Sequence, residues 1–176
     1  MTERRRLFFA LEPGVAVRRR IHAIQASIGA SGKAVETEKF HVTLAFLGMQ
    51  PPSVIPRLLQ MASLLTLRRC TVSLDRIGQF RRTGVLWLGS SQVPEELETF
   101  RLALVEGLEQ AGVDRDRKPW ELHVTLYRRL KKVPTTINVK PVNWPLEGFS
   151  LIESVRVNND VEYRRHGHWG SKPSAD

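Results

Sequence analysis

The tetrapeptide His-Val-Thr-Leu occurs twice, as His41-Val42-Thr43-Leu44 and as His123-Val124-Thr125-Leu126. Side chains alternate across a strand. His41 and Thr43 therefore share one face while Val42, Leu44 and Phe46 take the other, and His123 and Thr125 oppose Val124 and Leu126 in the same way. Two such strands side by side would line one cleft with two imidazoles and two hydroxyls. That set suits the opening of a phosphodiester ring. A neutral histidine takes a proton from water while a protonated one gives a proton to the leaving oxygen, and an unperturbed pKa of about 6.5 lets imidazole serve in either role. Thr43 and Thr125 can donate to non-bridging oxygens where charge gathers. Arg128 can add charge in bidentate geometry, although strict alternation puts it opposite His123, so it must lie past the strand end or after a twist.

Other readings are open at this point. A single His-x-Thr on a strand is commonly structural, and a four-residue match can arise by chance. Metal binding is the other option for a histidine pair. Neither segment carries a second histidine or a carboxylate at ligand spacing, and Glu36, Glu38 and Glu121 form no ligand pattern. Acid-base work is favoured, with no metal and no cofactor. His22, His166 and His168 read as structural, the last two in a basic, frayed end.

The elements that position these residues follow from periodicity. Residues 4–11 read as a strand, 14–29 as a helix with Val17, Ile21, Ile24 and Ile28 at helical spacing, and 39–48 as a strand. Pro51, Pro52 and Ser53 open a second helix. Strands are expected at 70–78 and 84–89, a helix at 94–111 bounded by Pro94 and Gly112, and a strand at 120–128. A proline-bearing loop spans 131–145. Strands at 148–157 and 161–166 follow, joined by Asn158-Asn159-Asp160, with a mobile tail from 171 to 176. No long apolar runs mark a parallel sheet. The chain reads as a single α+β domain, residues 1–170, with mostly antiparallel sheets. Strand, helix and His-bearing strand recur in both halves.

Composition sets the partner classes. Lys and Arg number 27 against 18 Asp and Glu, a formal net charge of +9. A dispersed basic excess favours polyanions, nucleic acid first. Cys70 is the single cysteine and cannot form an internal disulfide, and no stretch reaches the length of a membrane span. A soluble, cytoplasmic protein is expected.

The residues around both tetrapeptides resemble the two-histidine phosphoesterase superfamily, specifically the LigT-like RNA 2',3'-cyclic phosphodiesterases. The likeness is carried by Arg6-Leu7-Phe8-Phe9-Ala10-Leu11, by Phe40 through Gly48, by Val85-Leu86-Trp87-Leu88-Gly89, by His123 through Arg128, and by Tyr163 and Trp169 near the end. It implies a bilobed fold with outer helices, in which two pseudo-symmetric lobes each bring one motif to a central cleft. It also implies metal-free hydrolysis of 2',3'-cyclic phosphates to 2'-phosphates, with His41, Thr43, His123, Thr125 and Arg128 on the phosphate. The implied partner is an RNA with a cyclic phosphate end, such as a tRNA half, or a cyclic nucleotide, acted on by a monomer. The twofold arrangement leaves the acid and base roles interchangeable, with substrate orientation deciding; the reading leans to His41 protonating the leaving 3'-oxygen and His123 activating water. Leu122 stands where the family often has proline, and Arg164 and Arg165 make the end more basic. Phe46, Trp120, Tyr127 and Tyr163 are the candidates for stacking on a base. Two alternatives remain: a 2',5'-linkage phosphodiesterase or RNA ligase, and a non-catalytic basic RNA-binding module.

Overall fold

Strand β1 (Arg5–Leu11) alternates Phe8 and Ala10 on one face with Leu7, Phe9 and Leu11 on the other, and both sets are buried. A strand apolar on both faces must be covered on both, and here one face meets the main core while the other meets a smaller cluster with Ile152, Phe46 and Tyr163. In the computed structural model, which describes residues 3–132 and 137–174, β1 is an inner strand of the sheet β10-β9-β1-β3. Its partners are β3 (Val42–Gln50), β9 (Gly148–Val157) and, beyond β9, β10 (Asp160–Gly170). The second sheet, β2-β7-β6-β5, comprises β2 (Lys33–Ala34), β7 (His123–Arg128), β6 (Val85–Gly89) and β5 (Arg76–Phe80). A two-stranded piece joins β4 (Thr71–Leu74) to β8 (Val142–Pro145). Every strand pairing is antiparallel.

The helices cross over. Helix α1 (Val15–Ile28) leaves β1 of the first sheet yet packs near β8 and bonds to β7 of the second. Helix α3 (Glu95–Gln110) leaves β6 of the second sheet yet packs on the first, with Phe100 against Phe149 at 4.6 Å. Helix α2 (Ile55–Ser63) lies against α3 and β10. This exchange interlocks the lobes, and one cluster of buried apolar side chains runs through both. The expected bilobed α+β fold with outer helices is what forms. Among the described residues no helix is long and apolar enough to cross a membrane.

Several boundaries differ from expectation. The strand expected at 70–78 breaks at Asp75, whose carboxylate accepts from the Ser91 N–H at 2.8 Å. The chain switches there from pairing with β8 to pairing with β6. Strand β8 itself forms inside the segment expected to be a loop, because Val142 and Trp144 bury one face beside β4. Strand β10 continues to Gly170, so His168 pairs with Ser150 and His166 is the extra residue at a bulge inside the strand, and neither lies in a frayed end. His166 Nε2 lies 2.8 Å from Glu153, and His168 Nδ1 lies 2.9 Å from Ser150 Oγ. Ser171 and Lys172, expected in a mobile tail, donate backbone hydrogen bonds to Glu147 and Leu67. Residues 175 and 176 of that tail, and 133–136 of the expected loop, lie outside the described residues.

Candidate active site

Each motif begins with the same local device. The His41 Nδ1–H donates to the Lys39 carbonyl at 2.8 Å, and the His123 Nδ1–H donates to the Glu121 carbonyl at 2.7 Å. A carbonyl only accepts, so Nδ1 must carry the proton and Nε2 is left as the proton-transferring atom. The Thr43 hydroxyl, on the same strand face, donates to His41 Nε2 at 3.1 Å.

Aromatic rings flank both imidazoles in matching fashion. Phe8 lies tilted beside His41 at 5.1 Å and Tyr163 meets it edge-on at 5.4 Å. Trp87 lies tilted beside His123 at 5.9 Å and Phe80 meets it edge-on at 5.0 Å. Rings displace water, and burial disfavours the charged imidazole. That desolvation pushes His41 down to about 4, against the Lys39 carbonyl, which favours the charged form; Arg128 and His123 add to the lowering. His123 is also lowered, again mainly by burial, with the Glu121 carbonyl and carboxylate opposing and Arg128 contributing. The His41 imidazole thus lies within electrostatic reach of His123 and Arg128, and it shares one gap with Arg128.

Pairing of the strands explains how Arg128 reaches that gap. Trp87 pairs with Thr125 and Leu86 with Tyr127, which leaves Leu126 as an extra residue in β7. Such a bulge reverses the alternation. Leu126 and Tyr127 are both buried, and Arg128 comes back to the face of His123 and Thr125. The same happens in β3. Ala10 pairs with Thr43 and Phe9 with Ala45, so Leu44 is extra, and Phe46 emerges on the His41 face rather than opposite it as strict alternation predicts. The bulged residue is the leucine of the tetrapeptide both times.

A side chain from the crossed-over helix holds each bulge. The Gln25 amide of α1 donates to the Leu126 carbonyl at 2.8 Å and to the Val35 carbonyl at 2.9 Å. Arg101 of α3 donates to the Leu44 carbonyl at 3.2 Å. Trp120 Nε1 donates to the Thr43 carbonyl at 2.8 Å, and the Arg101 guanidinium lies 4.6 Å over the Trp120 ring. Sequence reasoning missed Gln25 and Arg101. For Gln25 a signal was present: a glutamine on the apolar stripe of Ile21, Ile24 and Ile28, now only 4% exposed. Phe8, Phe80, Trp87 and Arg6 were also missed as neighbours of the pair.

A cleft of about 640 Å³ is lined by His41, Thr125, Arg128 and Tyr163, together with Arg6 and a rim of basic residues. His123 and Thr43 share strand faces with Thr125 and His41 but are not among the residues that line this cleft. Of the four stacking candidates, Tyr163 lines the cleft, and Phe46 lies under the Arg6 guanidinium at 4.7 Å. Trp120 has one face taken by Arg101. Tyr127 is not a platform: it is 6% exposed and its hydroxyl donates to the Gln25 carbonyl at 2.7 Å, because the bulge turns it into the core. Among the described residues no group of three or more His, Cys, Asp or Glu side chains is placed to hold a metal ion.

The chain is similar to known proteins over nearly its whole length. Residues 13–158 match the family described as the 2'-5' RNA ligase superfamily. The chain is 31% identical over 173 residues to the RNA 2',3'-cyclic phosphodiesterase of Escherichia coli (strain K12), covering 96% of this chain and 98% of that one. It is 34% identical over 141 residues to the protein of the same name from Archaeoglobus fulgidus, covering 76% and 78%. The crystal structure of E. coli LigT complexed with 3'-AMP superposes with a TM-score of 0.87 at 27% identity, over 96% of this chain and 99% of that one.

Proposed function

Because this chain belongs to the 2'-5' RNA ligase superfamily, we propose that it is an RNA 2',3'-cyclic phosphodiesterase that opens cyclic phosphate ends to 2'-phosphates. The observation that carries the reading is the pair of Nε2 atoms. Each is freed by an Nδ1–H bond to the carbonyl two residues earlier, and each is presented by one of two matching bulged strands beside Arg128.

In the reaction the His123 Nε2 takes a proton from water as the water oxygen bonds to phosphorus. The P–O3' bond breaks and the protonated His41 Nε2 gives its proton to the departing 3'-oxygen. Thr43, Thr125 and Arg128 meet the charge on the non-bridging oxygens. Protons return through solvent to reset the pair.

The pH dependence follows from the two lowered imidazoles. Turnover needs one neutral and one protonated, and kcat/KM follows the free protein. With His41 near 4 and His123 lowered less from its ordinary 6.5, the single proton of the free pair rests mainly on His123, and the form with His41 protonated that the reaction uses is a minority confined to the acid side of 6.5. The value of kcat/KM should peak there and fall as pH rises. Bound phosphate charge favours both imidazolium forms, so the kcat profile should lie at higher pH. The check is turnover of a 2',3'-cyclic mononucleotide across pH, with chelator present, and assignment of the product phosphate by phosphorus NMR. A 3'-phosphate product, loss of turnover in chelator, or a kcat/KM optimum above pH 7 would count against the reading.

A further inference from the structure

The cleft holds more positive charge than one cyclic phosphate uses. A 2',3'-cyclic phosphate carries a single negative charge, which Arg128 and one imidazolium already meet. Yet Arg6, Lys33, Arg129 and Arg156 line the same cleft. None of these four has a carboxylate within ion-pair distance among the described residues. The two carboxylates on the cleft wall, Glu36 and Asp160, are both engaged by Lys39, at 3.0 and 3.1 Å. They are therefore turned to a cation on their own wall, and the surplus charge is left to an incoming anion.

The surplus stands on both walls. Lys33 of β2 pairs with Arg128 across the ladder. Arg129 directly follows β7 at φ 57°, a left-handed conformation rare for a residue with a side chain. The next residue fixes it there, because the Leu130 N–H donates to the Gly84 carbonyl at 3.0 Å. Arg156, on β9 of the other lobe, pairs with Val161 beside the hairpin that carries Asn158 and Asn159.

The chemistry of the substrate sets the direction in which these cations can be used. In a 2',3'-cyclic phosphate both vicinal hydroxyls of the last ribose are esterified to one phosphorus, so the chain continues only through O5'. Any further anion on the same molecule is a phosphodiester upstream of the cyclic end. Resting on the proposed reaction, we infer that Lys33, Arg129 and Arg156 form a subsite for the phosphodiesters one and two nucleotides 5' of the cyclic phosphate. The protein then selects an RNA chain end over a free cyclic nucleotide.

The test compares a trinucleotide with a 2',3'-cyclic end, which has two internal phosphodiesters, with a 2',3'-cyclic mononucleotide. Each single-strand phosphate contact steepens the salt dependence by about 0.7 in log–log slope. With two contacts, a fourfold rise in salt should cost the trinucleotide about fivefold to tenfold more in kcat/KM than the mononucleotide. The double variant Lys33→Ala, Arg156→Ala leaves Arg128 and its neighbour in place. It should remove most of the trinucleotide's advantage in kcat/KM and flatten its salt slope, with mononucleotide turnover unchanged within about twofold. A titration with the trinucleotide 2'-phosphate and a nucleoside 2'-phosphate should show the same loss of advantage in Kd. Equal salt slopes for both substrates, or an equal loss on both in the double variant, would overturn the subsite while leaving the proposed reaction standing. No turnover of either substrate would overturn both.

Discussion

His41→Ala and His123→Ala are each expected to lower kcat on a 2',3'-cyclic nucleotide by about 10³-fold or more, with the protein still folded. A positioned general acid or base contributes on the order of 10²- to 10⁴-fold, and the two imidazoles act on opposite bonds of the same phosphorus. Removing either leaves the other without a concerted partner, so the double variant should be little worse than each single one. Folding should survive because both imidazoles hang from strands whose apolar faces, Val42 and Val124 among them, make the core contacts. The measurement is single-turnover kinetics of the three variants beside their thermal unfolding. If either single variant keeps more than about a tenth of the rate, the assignment of that histidine to proton transfer fails.

The second large effect concerns Arg128. Arg128→Ala is expected to lower kcat/KM by about 10²- to 10³-fold, the size seen when one donor to developing charge is removed. Arg128→Lys should restore only part of it, since a point charge does not replace a planar fork. The guanidinium reaches the phosphate only because Leu126 is an extra residue in its strand, and Gln25 holds that bulge through the Leu126 and Val35 carbonyls. Gln25→Leu keeps the bulk and loses both donated bonds. It should lower kcat/KM by about tenfold, since small misplacements of a positioned group are costly. In the Arg128→Ala background the same change should cost much less, because the group it positions is gone. Equal losses in both backgrounds would reduce Gln25 to a stability residue.

The chemistry of the site was more legible in the amino-acid sequence than its geometry. Two identical tetrapeptides on β-rich segments give the proton carriers and their hydroxyl neighbours by local alternation alone, and Val85 through Gly89 reads as a strand because nearly every residue is apolar. The bulges were not legible. Leu44 and Leu126 look like any other inward leucine, and only the register against β1 and β6 reveals them as extra. Local alternation therefore put Phe46 and Arg128 on the wrong faces. The break at Asp75 is set by Ser91, sixteen residues on, and the pairing of β4 with β8 by partners some seventy residues away, neither of which periodicity carries. The aromatic flanks of His123 are likewise tertiary. Trp87 lies so close across Gly78 that a Cβ there would approach its ring to 2.1 Å, a contact that no spacing in the chain announces.

The central claim is that both histidines work on one phosphate. Histidine-selective ¹⁵N NMR, titrated in pH with and without a nucleoside 2'-phosphate, tests it most directly. In the free protein both rings should be in the Nδ1–H form and titrate below 6.5, with His41 near 4. With the ligand bound, both should titrate at higher pH and both Nε2 signals should move, because one anion faces both rings. A ligand that saturates the protein while shifting one histidine and leaving the other at its free value would contradict a shared site.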